Sequence, residues 1–211
     1  MPRIIAGEAR GRRLAAPPGS ATRPTADRAR EGLFGSVMSE MRSLEGVRWL
    51  DLYAGSGAVG LEALSRGAAE VVLVEANARA AAVIRENIEQ VGLPGATVTV
   101  APVERFLARG PDGPPFVVVF ADPPYAVPVE KTLVLLNGRC WLSPQALVVV
   151  ERATRSGDLS WPDGYLPGRA RRYGEATFWY GRPAESASLG SGTACNEWYA
   201  PVLLTRSPTG T

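Results

Sequence analysis

Between residues 47 and 150, five short apolar runs alternate with segments of helical length, and this rhythm constrains the fold more than any other feature of the chain. The runs cover residues 47–53, 71–74, 96–100, 116–121 and 146–150. Short, β-branched, apolar and bounded by turn residues, they read as buried strands. The segments between them, 58–66, 77–91, 103–108 and 131–136, read as helices. In 77–91, Ala81, Ile84, Ile88 and Val91 share one face and Gly92 closes the helix. Strands joined by helices of this length form a parallel sheet covered on both sides. After Glu151 the pattern changes. Residues 169–173 and 176–180, separated by Gly174-Glu175, read as an antiparallel hairpin. The expected fold is α/β, a mostly parallel seven-stranded sheet finished by that hairpin.

The fourth run breaks abruptly at Asp122-Pro123-Pro124-Tyr125. Two prolines lack N–H donors and hold φ near −65°, so the strand stops and a stiff loop begins. In an open α/β sheet, ligands bind at the carboxyl edge of the strands. There Asp122 can accept hydrogen bonds from an amino group, the Pro123 carbonyl offers a further acceptor, and Tyr125 offers a flat surface for a planar ring. These residues suit the exocyclic amine of a nucleobase. A strand ending in a Pro-Pro turn with no chemistry accounts for them equally well.

What precedes this loop narrows the choice. Asp51-Leu-Tyr-Ala-Gly-Ser-Gly57 places glycines at the first strand-to-helix turn, where backbone can approach a ligand closely. Gly55, Gly57 and Gly60 match the dinucleotide fingerprint, and Glu75, 18 residues beyond Gly57, is placed to hold ribose hydroxyls. By that motif alone, NAD and S-adenosylmethionine fit equally. Three features favour S-adenosylmethionine. Asp51, just before the glycines, would repel a pyrophosphate but suits a cationic methionine end. Asp122 to Tyr125 lie where the sulfonium would sit. Val103-Glu104, after the third strand, can clasp adenine by one apolar and one polar contact; Glu104 reads equally as a solvated carboxylate at a helix start.

Composition excludes much else. The chain has 211 residues, no histidine and two cysteines, Cys140 and Cys195. A Cys/His zinc cluster, a Ser-His-Asp triad and an imidazole base are all ruled out. No apolar run reaches the ~20 residues of a membrane span, and no signal peptide is visible, so a cytoplasmic location is expected. A disulfide is not expected there. The net charge of +2 is uneven: residues 1–30 carry seven arginines against Glu8 and Asp27, a local +5, leaving −3 for the rest. A basic segment ahead of a near-neutral body suits a polyanionic partner, although it suits a solvated tail as well.

That basic segment reads as a small β-hairpin over residues 3–16, closed by Pro17-Pro18-Gly19. Thr22-Arg23-Pro24-Thr25 follows as a turn, with Thr25 or Asp27 placed to cap a helix over 26–43. Leu33, Phe34, Val37, Met38 and Met41 line one face of that helix. From about Pro183 the chain turns to Ser, Gly, Thr, Ala and Pro, and disorder is expected over 183–211, although Trp198-Tyr199 and Val202 to Leu204 are apolar enough to dock.

Asp122-Pro-Pro-Tyr with the Asp51 to Gly57 loop resembles the amino-directed methyltransferases, whose motif reads Asn/Asp/Ser-Pro-Pro-Tyr/Phe/Trp. More specifically, Arg3-Ile-Ile-Ala-Gly7, Gly11-Arg-Arg-Leu14, Thr22-Arg-Pro-Thr25 and Asp27-Arg-Ala-Arg-Glu-Gly-Leu-Phe34 are similar to the RsmD family of bacterial 16S rRNA guanine-N2 methyltransferases. The resemblance runs from about residue 3 to 182. One departure is Gly35, where that family commonly has Asn.

The resemblance implies the class I methyltransferase fold over 26–182, with the arm 1–25 as a β-hairpin extension. It implies S-adenosylmethionine as cofactor, without metal, held by Asp51, Ala54, Gly55, Ser56, Gly57, Glu75, Ala76, Val103, Glu104 and Asp122. Asp122, Pro123 and Tyr125 would be catalytic. Arg3, Arg10, Arg12, Arg13 and Arg23 would bind RNA, aided by Arg169, Arg171 and Arg172. The implied partner is 16S rRNA in the 30S subunit or its assembly intermediate, met by a monomer away from membranes. An adenine-N6 or protein-glutamine methyltransferase, an NAD-dependent oxidoreductase and a non-enzymatic RNA-binding module remain the alternatives.

Overall fold

The computed structural model of the protein describes residues 2–17 and 24–184. The expectations for Gly19, Thr22, Arg23, Cys195 and the stretch from Glu185 onward lie outside them. The helix α1 (Pro24–Met41) precedes five parallel strands, β1 (Arg48–Leu52), β2 (Glu70–Glu75), β3 (Ala96–Val100), β4 (Phe116–Ala121) and β5 (Leu142–Ala153). Helices α2 (Ala58–Ser65), α3 (Ala78–Val91), α4 (Val103–Ala108) and α5 (Val129–Gly138) connect them. The chain then closes with β6 (Tyr165–Tyr173) and β7 (Ala176–Pro183). The sheet order is β3-β2-β1-β4-β5-β7-β6, parallel through β5, with β7 antiparallel to both neighbours. This is the seven-stranded architecture expected from the alternation.

Each central strand is apolar on both faces because each face has its own helical cover. Trp49, Val118, Phe120, Leu147 and Val149 pack with Leu33 and Phe34 of α1, Leu61 of α2 and Ile84 of α3. Leu50, Leu52, Val119, Ala121 and Val148 pack on the other side with Val103, Phe106, Leu133 and Leu136 of α4 and α5. Burial of such a side chain contributes about 1.5–3 kcal/mol, so the two covers hold the sheet more firmly than any polar contact.

Several boundaries differ from the sequence expectation, among them the starts of α5, β5 and β6, which come two to four residues early, and two others have a clear physical reason. The helix α1 starts at Pro24, two residues early, because proline in a first helical turn needs no N–H partner. The strand β5 continues past Val150 to Ala153, because β7 pairs with Glu151, Arg152 and Ala153 after the neighbour β4 has ended. The polar residues that seemed to end the run instead extend it beyond the sheet's carboxyl edge.

Residues 2–17 form a hairpin-like turn with a single antiparallel bridge, Arg3 to Arg13, and no continuous strand. Ile4, Ala9 and Leu14 are buried in the same core as α1 and α2. Among the described residues, no helix is long and apolar enough to cross a membrane.

Candidate active site

The chain runs from β1 outward to β2 and β3, then returns to β4 on the other side of β1. At that reversal, beyond the carboxyl ends of the strands, lies a cavity of about 1040 Å³. One side of it is built by Tyr53 after β1 and by the ends of β2 and β3; the other by the ends of β4 and β5.

On the first side, Gly55 and Gly57 have φ of 58° and 77°, which glycine adopts without strain. Gly60 makes a closer approach: its N–H donates to Asp51 Oδ2 at 2.8 Å, and a Cβ there would sit 3.0 Å from the same oxygen. Asp51 is 1% exposed and does not line the cavity. Burial, and then the charges of Asp122 and Glu75, raise its carboxyl to about 7 against the favourable Gly60 bond. Its contact in this structure is with the loop that it shapes. Glu75, by contrast, faces the cavity together with Ala76, Val103 and Glu104. Its Oε2 accepts from Gly55 N at 2.8 Å and its Oε1 from Asn77 N at 2.8 Å. Each oxygen keeps a lone pair for a further donor. Ala54, Gly55, Ser56 and Gly57 form the turn behind this wall and are not themselves in the cavity lining.

Tyr53 was not singled out by the sequence. It lines the cavity with φ of 61°, a left-handed conformation that costs a non-glycine residue about 1–2 kcal/mol. Its hydroxyl is 2.9 Å from Thr132 Oγ1 and donates to Glu104 Oε1 at 3.4 Å. The phenol therefore anchors the strained turn to α5 and positions Glu104.

On the second side, Asp122, Pro123, Pro124 and Tyr125 open into the cavity. Tyr125 is 75% exposed, with the Arg155 guanidinium 5.3 Å from its ring centroid. Asp122 is exposed as a residue at the cavity mouth, while its carboxyl, set among the cavity walls, is raised by partial desolvation. Glu151 lies beside it and is raised as well, first by burial and then by the Asp122 charge. Both directions follow from partial desolvation at the cavity wall, to which the like charge of Asp122 adds for Glu151. Glu151, Arg155 and Tyr173, all cavity-lining, were missed as site residues because they lie on β5, the turn after it and β6, far from any motif.

The arginines divide into two groups. Arg3, Arg10 and Arg13 are exposed on the N-terminal segment. Arg12 Nη1 donates to Gln90 O at 2.8 Å and to Val91 O, satisfying carbonyls at the C-terminus of α3. Arg169 donates to Ser36 O at 3.0 Å and pairs with Glu40 at 3.3 Å, which ties β6 to α1. Both therefore carry structural contacts that their sequence neighbours did not suggest. Arg172 lines the cavity together with Arg152 and Arg155, forming a basic rim. Among the described residues, no cluster of His, Cys, Asp and Glu is arranged to hold a metal ion.

Comparison with known proteins adds a lineage to this geometry. The family model described as Conserved hypothetical protein 95 matches residues 2–182. Ribosomal RNA small subunit methyltransferase D of Escherichia coli (strain K12) is 36% identical over 188 residues, 88% of this chain and 92% of that one. The protein of the same name from Haemophilus influenzae is 38% identical over 152 residues, covering 71% and 77%. Among solved structures, the Escherichia coli protein yhhF aligns with a TM-score of 0.77 at 33% identity, over 87% of this chain and 98% of its own. A hypothetical protein from Thermus thermophilus, TTHA0928, gives 0.71 at 36% identity, over 85% and 98%. With the fold, the cavity and these relatives in agreement across nearly the whole described chain, the protein belongs to the RsmD family.

Proposed function

We propose that this protein uses S-adenosylmethionine to methylate the exocyclic N2 of a guanine in 16S rRNA, in the cytoplasm, on the small subunit or its assembly intermediate. Ribosomal RNA methyl transfer is the activity named for the Escherichia coli and Haemophilus influenzae relatives, and it is carried over here with the family. One observation supports the finer reading most directly. Asp122 and Tyr125, suited to a nucleobase amine, open onto the same cavity as Glu75, suited to a ribose.

The residues present fit the cofactor. Glu75 retains acceptors for two hydroxyls, Pro102 and Val103 offer an apolar wall for adenine, and Glu104, held by Tyr53, offers a polar edge. When bound, S-adenosylmethionine supplies a methyl group activated by positively charged sulfur. The protein supplies position and electrostatics. An aromatic amine is a poor nucleophile because its lone pair is delocalised into the ring. Asp122 and the Pro123 carbonyl accept its two N–H hydrogens, favouring a pyramidal nitrogen with its lone pair turned outward. Tyr125 stacks on the base once it is extruded from the RNA. Holding the amine in line contributes through proximity, and Asp122 or water takes the proton released.

Methyl transfer from labelled cofactor to 30S particles lacking the mark, followed by nucleoside analysis, tests this reading. The label is expected in N2-methylguanosine; label in N6-methyladenosine, or binding of NAD in place of S-adenosylmethionine, would refute it. Asp122→Ala should lower kcat by on the order of 100-fold or more, the scale of removing one preorganised transition-state interaction, with cofactor affinity retained. Unaltered turnover would remove Asp122 from the mechanism.

A further inference from the structure

Beside Asp122 the cavity holds a carboxylate that the mechanism above does not use, Glu151. Strand register places it. Ala121 of β4 pairs with Val150 of β5 in parallel, so the next residues, Asp122 and Glu151, stand level on neighbouring strands. Phe120 and Val149 pack in one core and Ala121 and Val150 in the other, so alternation sends Asp122 and Glu151 to the same face. Pairing of Glu151 with Phe178 of β7 keeps its backbone in the sheet beyond the end of β4. Glu151 is thus fixed by a strand on one side and open to the cavity on the other.

Nothing in the fold accounts for this carboxylate. Among the described residues, no cation and no hydrogen-bond donor pairs with it. A half-buried carboxylate without a partner is disfavoured when ionised, and such groups concentrate where a ligand provides the missing donor. The two level carboxylates are separated by about one interstrand spacing, ~4.8 Å at the backbone.

We infer that Glu151 is a specificity-determining residue that accepts the N1–H of guanine while Asp122 accepts from N2. This rests on the guanine-N2 reading and adds a cause for the choice of base. Guanine presents two adjacent donors, N1–H and the N2 amine, and so faces a row of acceptors. Adenine presents an acceptor at N1 beside its amine, and a carboxylate set against that lone pair repels it. Asp122 with the Pro-Pro turn serves any aromatic amine; Glu151 rejects the one without a neighbouring donor. A donor arriving at N1 also favours the ionised form of a carboxyl that burial and Asp122 otherwise hold toward the protonated side.

The test replaces the methylated guanine in a reconstituted 30S particle by 2-aminopurine, which keeps the N2 amine but carries a bare acceptor at N1. The ratio of kcat/KM for guanine over 2-aminopurine is measured for the wild type, Glu151→Gln and Glu151→Ala, with S-adenosylhomocysteine binding as the check on folding. The wild type is expected to favour guanine by roughly 10- to 100-fold, the size of a good base-edge contact, and Glu151→Ala to bring the ratio within about threefold of unity. A wild-type ratio near unity overturns the inference without reference to any variant. A variant that binds the cofactor, is slow on both bases and keeps the wild-type ratio also overturns it, since Glu151 would then act through the fold alone. Absence of label on guanine in the wild type removes the guanine-N2 reading itself, whereas label on guanine without discrimination removes only the role of Glu151.

Discussion

At the scale of single residues, Asp51 and two glycines of α1 make the sharpest cases. The Asp51 carboxyl is raised from 3.8 to about 7 by burial, so the folded state holds its proton more tightly than the unfolded state. The stability carried by the neutral carboxyl is therefore present below pH 3.8 and is lost as pH rises toward 7. Asp51→Asn keeps an oxygen for the Gly60 N–H and removes the ionisation. Urea unfolding across that window should show the wild type losing stability relative to the Asn variant as pH rises; parallel curves would mean that Asp51 titrates normally. Gly32 and Gly35 lie one turn apart on α1 yet should respond oppositely. A Cβ on Gly32 would fall 2.2 Å from the Tyr173 ring, whereas one on Gly35 meets nothing within 4 Å. Gly32→Ala should destabilise by about 1–3 kcal/mol through overpacking. Gly35→Ala should stabilise by about 0.5–1 kcal/mol through lower backbone entropy. Thermal melts of both variants check the pair. The departure from the family at Gly35 thus falls on an exposed position where a Cβ would meet nothing within 4 Å.

At the scale of elements, the attachment of the N-terminal segment depends on one buried side chain that no pattern announced. Glu62 of α2 is fully buried and accepts from Ile5 N at 2.6 Å and Ala6 N at 3.0 Å. Arg66 donates to it at 2.7 Å and balances its charge. Asn87 of α3 makes a second tie, accepting from Ala15 N at 2.7 Å and donating to Ser56 O at 2.9 Å, which joins the segment to the glycine loop. Glu62→Ala leaves two half-buried N–H groups and a partly exposed guanidinium without their acceptor, a destabilisation of about 1–3 kcal/mol. Limited proteolysis should then cut before residue 17 far faster than in the wild type. Equal cutting rates would place the attachment in Ile4, Ala9 and Leu14 alone. In sequence, Glu62 is one glutamate in a short helix; its burial exists only because another segment lies across it.

At the scale of the whole molecule, basic side chains stand on both the N-terminal segment and the cavity rim. Arg10 and Arg13 are exposed, while Arg152, Arg155 and Arg172 surround the cavity near Tyr125. Replacing Arg10 and Arg13 together should weaken RNA binding and lower the slope of log K against log salt by about 1 for each phosphate no longer neutralised. An unchanged slope would confine RNA binding to the rim. Arg12 is best left in place for this test, because its removal would also uncap α3.

The sequence by itself determined the α/β architecture, because two-sided burial writes each central strand as a continuous apolar run and each connection as a helix. It also determined which loops lie at the carboxyl edge, since Gly55, Gly57, Pro123 and Pro124 act through backbone conformations they carry anywhere. Only the tertiary structure decided which side chains share the cavity. Glu151 reaches Asp122 through strand register and the pairing of β5 with β7, and Tyr173 comes from β6 across a gap left by Gly32. Asp51 withdraws from the cavity because Gly60 approaches it closely enough to take its carboxylate. A residue type carries its chemistry in the sequence, but its neighbours, its hydration and hence its charge are set by segments far away along the chain.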